Sequence, residues 1–512
     1  ALVLAGAMIL SLAGCAGGQK SHPENKTTES TDTGKNKPEK VSVRDDVVIY
    51  YDSEPDTLDQ HDTTTVSAAV MIRNLYANLY RLDSNGNIVP ELAESYTVND
   101  DFSVYEITIR DGLKFSDGSD LKASDVAYSY NRARSLGGTY YECLKEVDAL
   151  DDHTVRITLT EPNSTFLNDL CVEYMCVMSE KAVEGGMDVD TCPTVTSGAY
   201  TVEQWNKGES ILLKANPYYF KGEPPIKKAT IVYQISEDSA YQALKDGSVD
   251  YLASVSSEEV SYLKADDDVE LISYDNFAWN FLSLNEKDPH FADDNVRKAI
   301  YYALDLNYLI DTALDGLGTP APIVMNSSIS GYIDGCDTVD YDLAKAKGFM
   351  AKSAYPDGFD MTIEVGHDYW VKVAEEIGTL LSEIGIKVTV EEKKISEEVD
   401  DFMDFSYTAG IMSYSMSSGT FSHATPLFKS GDALNFSCSP DGEIGDLLEE
   451  AVTVGEDERE GILEKAFQQM KEKNLYIGLY WPTVYDAKMS ALKQKDPVTS
   501  EKFIIANMYW EA

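Results

Sequence analysis

Basic residues are scarce: 42 lysines and arginines stand against 88 aspartates and glutamates, a formal net charge of −46 over 512 residues. A surplus of that sign argues against binding nucleic-acid phosphates and favours solubility, while saying nothing of the fold. Catalytic signatures are missing too. The chain has no G-x-S-x-G elbow, Walker A loop, H-E-x-x-H or G-x-G-x-x-G. Its six histidines (His22, His61, His153, His290, His367, His423) are scattered without metal-ligand spacing, and no CxxC or HxxH accompanies the cysteines. Carboxylates are so abundant that no pair singles out a glycosidase dyad, and no EF-type calcium loop stands out. No catalytic residue, metal site or cofactor is therefore assigned. No internal repeat suggests a solenoid, and after Cys15 no apolar run approaches the roughly 20 residues that cross a bilayer.

What is present is a chain long enough for two or more lobes, with 43% hydrophobic and 25% charged residues as in ordinary globular proteins. Thirty-two tyrosines and five tryptophans supply flat, hydrogen-bonding surface. Ala1 to Leu12 is a short apolar run that fits the h-region of a secretory leader whose first residues are missing. Leu12-Ala13-Gly14-Cys15 resembles a bacterial lipobox, which implies cleavage before Cys15 and lipid on its thiol. Residues 16–45 carry no aromatic side chain and few large apolar ones, so they are expected to form a flexible tether. The remaining cysteines, Cys143, Cys171, Cys176, Cys192, Cys336 and Cys438, read as free or partly paired structural thiols, with connectivity left open.

Glu91 to Arg132 forms a compact unit in the pattern: strands at Ser95–Val98 and Val104–Ile109 around an Asn-Asp-Asp turn, then a helix capped by Ser124. Leu92 to Ser95, Arg110 to Gly112 and Asp125-Val126 together resemble the signature of the family 5 solute-binding proteins, the oligopeptide- and dipeptide-binding lipoproteins of ABC importers. Leu58-Asp59, Asn216 to Tyr219, Val249-Asp250 and the helix Asp294 to Asp305 extend the resemblance. The Ser197 to Tyr200 segment keeps only a glycine and the tyrosine of its counterpart. Alternation and helical spacing further predict a helix at Ala68–Tyr80, a strand at Thr154–Leu159, and a strand–helix–strand run over Met361–Val390. They also predict a helix from Ser439 to about Val454, and an apolar strand Leu475–Trp481 stopped by Pro482.

The resemblance implies an α/β protein of the class II periplasmic-binding-protein type, with two α/β lobes around a ligand cleft and an extra small lobe. The expected boundaries are 1–14 for the leader and 15–45 for the lipidated tether. Lobe I takes 46–80, 193–285 and 478–512, lobe II 81–192, and lobe III 286–477. By the same resemblance the protein is a monomeric extracytoplasmic receptor, held to the membrane by its lipid only. It would pass oligopeptides or dipeptides to an ABC permease and its ATPase subunits. Cleft residues implied by position are Tyr50, Tyr51, Trp279, Asn280, Tyr369, Trp370, Met412, Ser413 and Tyr414. Trp205, Trp481 and Trp510 are assigned to packing. In the family a tryptophan and then an acidic residue stand in the third lobe, and the carboxylate pairs with the ligand's α-ammonium. Here Ile411 or Met412 replaces the tryptophan, and no acidic residue lies between Phe405 and Ser430. That departure leaves a metal chelate, haem or sugar open as ligand. A secreted hydrolase is the rival from another class.

Overall fold

Asp46–Tyr51, rich in β-branched and aromatic residues, pairs in parallel with Lys228–Val232 on one side and Tyr251–Val255 on the other. A strand so flanked lies inside the sheet, and its side chains alternate between the two faces. Val47, Ile49 and Tyr51 enter one large apolar cluster, whereas Val48 and Tyr50 face a smaller one around Leu244 and Leu252. The computed structural model describes residues 44–511 apart from 64, 84–85, 138–140, 235–236, 256, 276, 417–418 and 496–502. The leader, Cys15 and nearly all of the tether lie outside the described residues.

One twelve-stranded sheet runs through two α/β lobes. Its central member is Tyr476–Met489, whose first half pairs with Ala278–Leu284 and whose second half pairs with Val269–Asp275 and Tyr251–Val255. Sequence reasoning stopped this strand at Pro482, and the structure corrects that. On one side Tyr480 pairs with Asn280 and Thr483 with Asp275, so Pro482 falls where one partner strand hands over to the other. A missing N–H is tolerated at such a gap.

In one lobe Asp360–Val365 and Lys387–Glu392 pair in parallel and are joined by helix Asp368–Ser382, with Ala409–Ser415 beside them. A separate antiparallel sheet orders Ala93–Val98, Val104–Ile109, Thr154–Leu159 and Leu144–Ala149. Ile107, Ile109, Val155 and Ile157 are buried in it, and helix Ala123–Ser135 packs on its last two strands.

Several boundaries differ from expectation. The first helix ends at Leu75, not Tyr80, and the tyrosine opens a strand. Ser124 lies inside its helix; the cap is made by Asp125, whose carboxylate accepts the Lys122 N–H at 2.9 Å. Asp305 does not end the Asp294–Ala303 helix but caps the next, accepting the Tyr308 N–H at 3.2 Å. Ser439 forms a turn with Asp441, and the helix starts only at Glu443.

The signature residues prove to be framework. Asp59 is gripped by Arg132 through two hydrogen bonds of 2.9 and 2.6 Å, tying the opening turn to the end of the Glu91–Arg132 unit. Buried Asp250 takes Arg44 at 2.6 and 2.7 Å and the Val48 N–H at 2.8 Å. Arg297 donates to the carbonyls of Phe291 and Lys473. At Gly198 a Cβ would stand 2.6 Å from the Leu75 carbonyl carbon, so the residue must be glycine for the chain to pass. All six described cysteines are free thiols.

Candidate functional site

The candidate site is built where Tyr476–Met489 crosses from one partner strand, Ala278–Leu284, to the other, Val269–Asp275. There Ala278–Leu284 lies antiparallel to Ala409–Ser415, with Trp279 opposite Tyr414, Asn280 opposite Ser413 and Phe281 opposite Met412. Opposed residues share a face, and successive residues alternate. Two surfaces of different character result.

The first is aromatic and closed. Trp279 stacks on Phe281 at 4.7 Å, donates its indole N–H to the Ala321 carbonyl at 3.0 Å, and is 1% exposed. Met412, Tyr414 and Trp481 join the same apolar cluster, and the Tyr414 hydroxyl donates to the His423 carbonyl at 2.8 Å. Met412 and Tyr414 are half-buried, which leaves each an edge toward solvent.

The second surface carries Asn280, Ser413 and Tyr480, the last also paired with Asn280 across the strand. The Asn280 Oδ1 accepts the Trp370 indole N–H at 3.0 Å, and its Nδ2 donates to the Ala278 carbonyl at 3.1 Å. Trp370 is 1% exposed, but its neighbour Tyr369, 57% exposed, projects from the helix start and stacks on His367 at 4.8 Å. Ser413 is half-buried. The Asn280–Trp370 bond thus anchors the end of helix Asp368–Ser382 on which Tyr369 stands.

Tyr50 and Tyr51 sit elsewhere. Both are buried, Tyr50 against Leu244 and Leu252, and Tyr51 edge-on to Phe503 at 5.9 Å. Among the residues singled out from sequence, the structure gathers Trp279, Asn280, Tyr369, Trp370, Met412, Ser413 and Tyr414 on the two opposite faces of this strand pair, with the two tyrosines of the first strand apart. Of the three tryptophans assigned to packing, Trp481 is buried, while Trp205 bonds Glu54 and Trp510 bonds the Asp46 carbonyl.

Two participants escaped the sequence reading. Tyr480 was seen only as part of an apolar strand. Glu398, on helix Ile395–Met403, is fully buried, and neither carboxyl oxygen meets a hydrogen-bond partner. Burial, reinforced by the charge of Glu364, pushes its carboxyl up to about 8 against the opposing influence of the Gly366 N–H and Lys393. Partial burial pushes the Tyr369 phenol up to about 12, with the Glu398 charge adding to it. The signal was available: Glu398 stands four residues before buried Phe402 on one helix and so shares its inward face.

Away from the crossing, the far end of the four-stranded sheet is pinned to the helices after Gly442. The Ser164 N–H donates to the Val452 carbonyl at 2.7 Å, and Arg459 donates to the Ser164 hydroxyl at 2.8 Å. Nearby chains approach closely enough that a Cβ on Gly86, at φ +78°, would lie 2.4 Å from the Ser328 carbonyl oxygen. Among the described residues no group of three or more His, Cys, Asp or Glu could hold a metal ion, and no helix is long and apolar enough to cross a membrane.

Residues 87–433 match the family described as bacterial extracellular solute-binding proteins, family 5 Middle. The glutathione-binding protein GsiB of Salmonella paratyphi A is 30% identical over 354 residues, covering 67% of this chain and 69% of its own. Among solved structures, the ABC transporter substrate-binding protein CtaP of Listeria monocytogenes superposes with a TM-score of 0.83 at 20% identity, over 92% of this chain and 100% of its own. The oligopeptide-binding protein AppA of Bacillus subtilis, in complex with a nonapeptide, gives 0.71 at 22% identity over 92% and 100%.

Proposed function

The chain belongs to the bacterial extracellular solute-binding proteins, family 5, and on that premise we propose that it captures short peptides outside the cell and delivers them to an ABC permease. The peptide reading rests on the ligands named for its relatives, glutathione for GsiB and a nonapeptide for AppA. The observation that carries it in this chain is the paired surface of Asn280 and Ser413 beside exposed Tyr369. A half-buried serine hydroxyl beside an exposed aromatic face suits an extended backbone, which offers amides and carbonyls at regular spacing.

Capture here is neutral at the strand Ala409–Ser415. With serines at 413 and 415 and no carboxylate, a ligand's amino terminus meets hydrogen-bond acceptors rather than a charge there. Tyr369 and Ser413 touch the ligand on the Asn280 face, with Asn280 and Trp370 holding them from behind, while Met412 and Tyr414 present their half-buried edges on the opposite face beside Trp279. Tyr50 and Tyr51 support the facing lobe. Lobe I comprises 46–80, 193–285 and 478–512, lobe II 81–192 and lobe III 286–477. Lipid on Cys15 holds the monomeric receptor at the outer surface of the membrane.

The test is thermal unfolding of the purified protein with di- to octapeptides, followed by mass spectrometry of the same samples. A rise in Tm with intact peptides is expected, by the mass action of a ligand that binds only the folded state. Peptide cleavage, or the absence of any shift across the library, would refute the reading.

A further inference from the structure

Remote from these strands, a cavity of about 220 Å³ opens among Arg73, Arg81, Lys221 and Lys495, with Glu91 and Tyr219 in its wall. At roughly 30 Å³ of liquid volume per water, it holds several waters or one small polyatomic ion, and it is too small for a peptide. Four cations around one cavity are unusual in a chain whose formal charge is −46. None of these residues takes part in the candidate site above.

The carboxylates at the cavity do not balance the cations. Glu91 accepts from Lys221 at 3.1 Å and from the Asn78 N–H at 3.0 Å. Glu223, also in the wall, pairs with Lys227 at 3.1 Å. That leaves Arg81 and Lys495. Among the described residues the buried Arg81 Nε has no hydrogen-bond partner, and the same guanidinium reaches only the Leu82 carbonyl, at 3.5 Å. The Lys495 ammonium has neither hydrogen bond nor ion pair among the described residues. The positive field is felt locally: burial, and then Arg81 and Arg73, press the Lys221 ammonium below its usual range, with Glu91 alone opposing them.

Arg73 and Arg81 are half-buried and Lys221 and Lys495 are exposed at the cavity mouth, and cations of like sign gathered there repel one another unless a counter-charge joins them. A guanidinium fork beside ammonium groups matches the oxygens of a phosphate or carboxylate. We propose that this cavity is a binding site for a small oxyanion, separate from the solute cleft, with Arg81 and Lys495 as its principal contacts and Arg73 and Lys221 completing the cationic wall.

Isothermal titration calorimetry of inorganic phosphate, and separately of succinate, into the full-length protein tests this at ionic strength held constant with sodium chloride. Saturable binding of either anion is expected, weakened about tenfold or more in Arg81→Gln and in Lys495→Gln, as befits loss of one charge-assisted bond. The control Lys347→Gln, at a surface pair with Glu383, should bind as the unaltered protein does. Phosphate binding alone assigns a tetrahedral occupant and succinate binding a carboxylate; both support the site. Absence of saturable binding of both, or equal affinity in the two cavity variants and the control, overturns it. Should Arg81→Gln fail to fold, Lys495→Gln, which removes no side-chain bond among the described residues, decides the matter.

Discussion

Asp59 and Glu398 are both buried carboxyl groups, and they behave oppositely. Asp59 faces Arg132 and the His61 N–H, which together overcome the cost of burial and hold its carboxyl below the usual range. Glu398 faces Glu364 and has no hydrogen-bond partner, and burial lifts it to about 8. Burial is common to the two, so the partner decides the charge. The contrast also separates two kinds of region. Asp59 joins segments of the framework through a satisfied pair, whereas Glu398 lies under the Tyr369 corner of the candidate site as an unspent polar group.

Breaking the paired member should have the largest effect. Asp59→Ala strands the Arg132 guanidinium and is expected to cost about 3–5 kcal/mol in urea unfolding. The depressed Asp59 carboxyl also contributes stability that is present above the unfolded aspartate value near 3.9 and is lost as pH falls through the lower folded value. The variant should lack that acid-side slope.

Glu398 works the other way. Between about 4.5 and about 8 the folded state keeps a proton that the unfolded state has released, so stability falls as pH rises through this window. The slope approaches about 1.4 kcal/mol per pH unit. Glu398→Gln should flatten the profile: near the unaltered protein at pH 5, and more stable by about 2 kcal/mol or more at pH 8. Identical Tm-against-pH curves would show that the carboxyl is solvated and would remove the contrast with Asp59.

Arg459→Ala removes the bond to Ser164 across the pinned end of the four-stranded sheet. A hydrogen bond from a charged donor contributes about 1.5–3 kcal/mol. Urea unfolding of the variant should show a loss of that size, and an unchanged midpoint would show that the bond contributes nothing across the pinned sheet end. Tyr369→Ala should alter stability least, within about 0.5 kcal/mol, because the side chain is mostly exposed. If Tyr369 touches ligand it should still weaken peptide binding by about 1–2 kcal/mol. A stability loss with unchanged peptide affinity would move Tyr369 from the site to the framework.

Regions legible in the chain were those where local pattern and tertiary demand coincide. Val104–Ile109 and Thr154–Leu159 alternate strictly because one face of their sheet is buried, and both appear with the expected bounds. The strand Tyr476–Met489 was half legible. A proline reads locally as a stop, and only the exchange of partner strands around Pro482 lets the strand run on. Within the candidate site, the register of Asn280 against Ser413 joins residues 133 positions apart, a pairing that no local pattern contains.

By itself the sequence determined the family, the α/β class and the acidic character, because those reside in spaced motifs, periodicity and composition. The Glu91–Arg132 unit was recognisable from order alone, yet that Arg132 exists to hold Asp59 appears only when segments 73 residues apart meet. Tertiary structure alone decided which aromatics are walls and which are surface, putting Trp370 behind Asn280 and Tyr369 into solvent although they are neighbours in the chain. It alone also brought Arg73, Arg81, Lys221 and Lys495 around one cavity. Burial and electrostatic field are sums over neighbours in space, and a linear order of residues does not contain them.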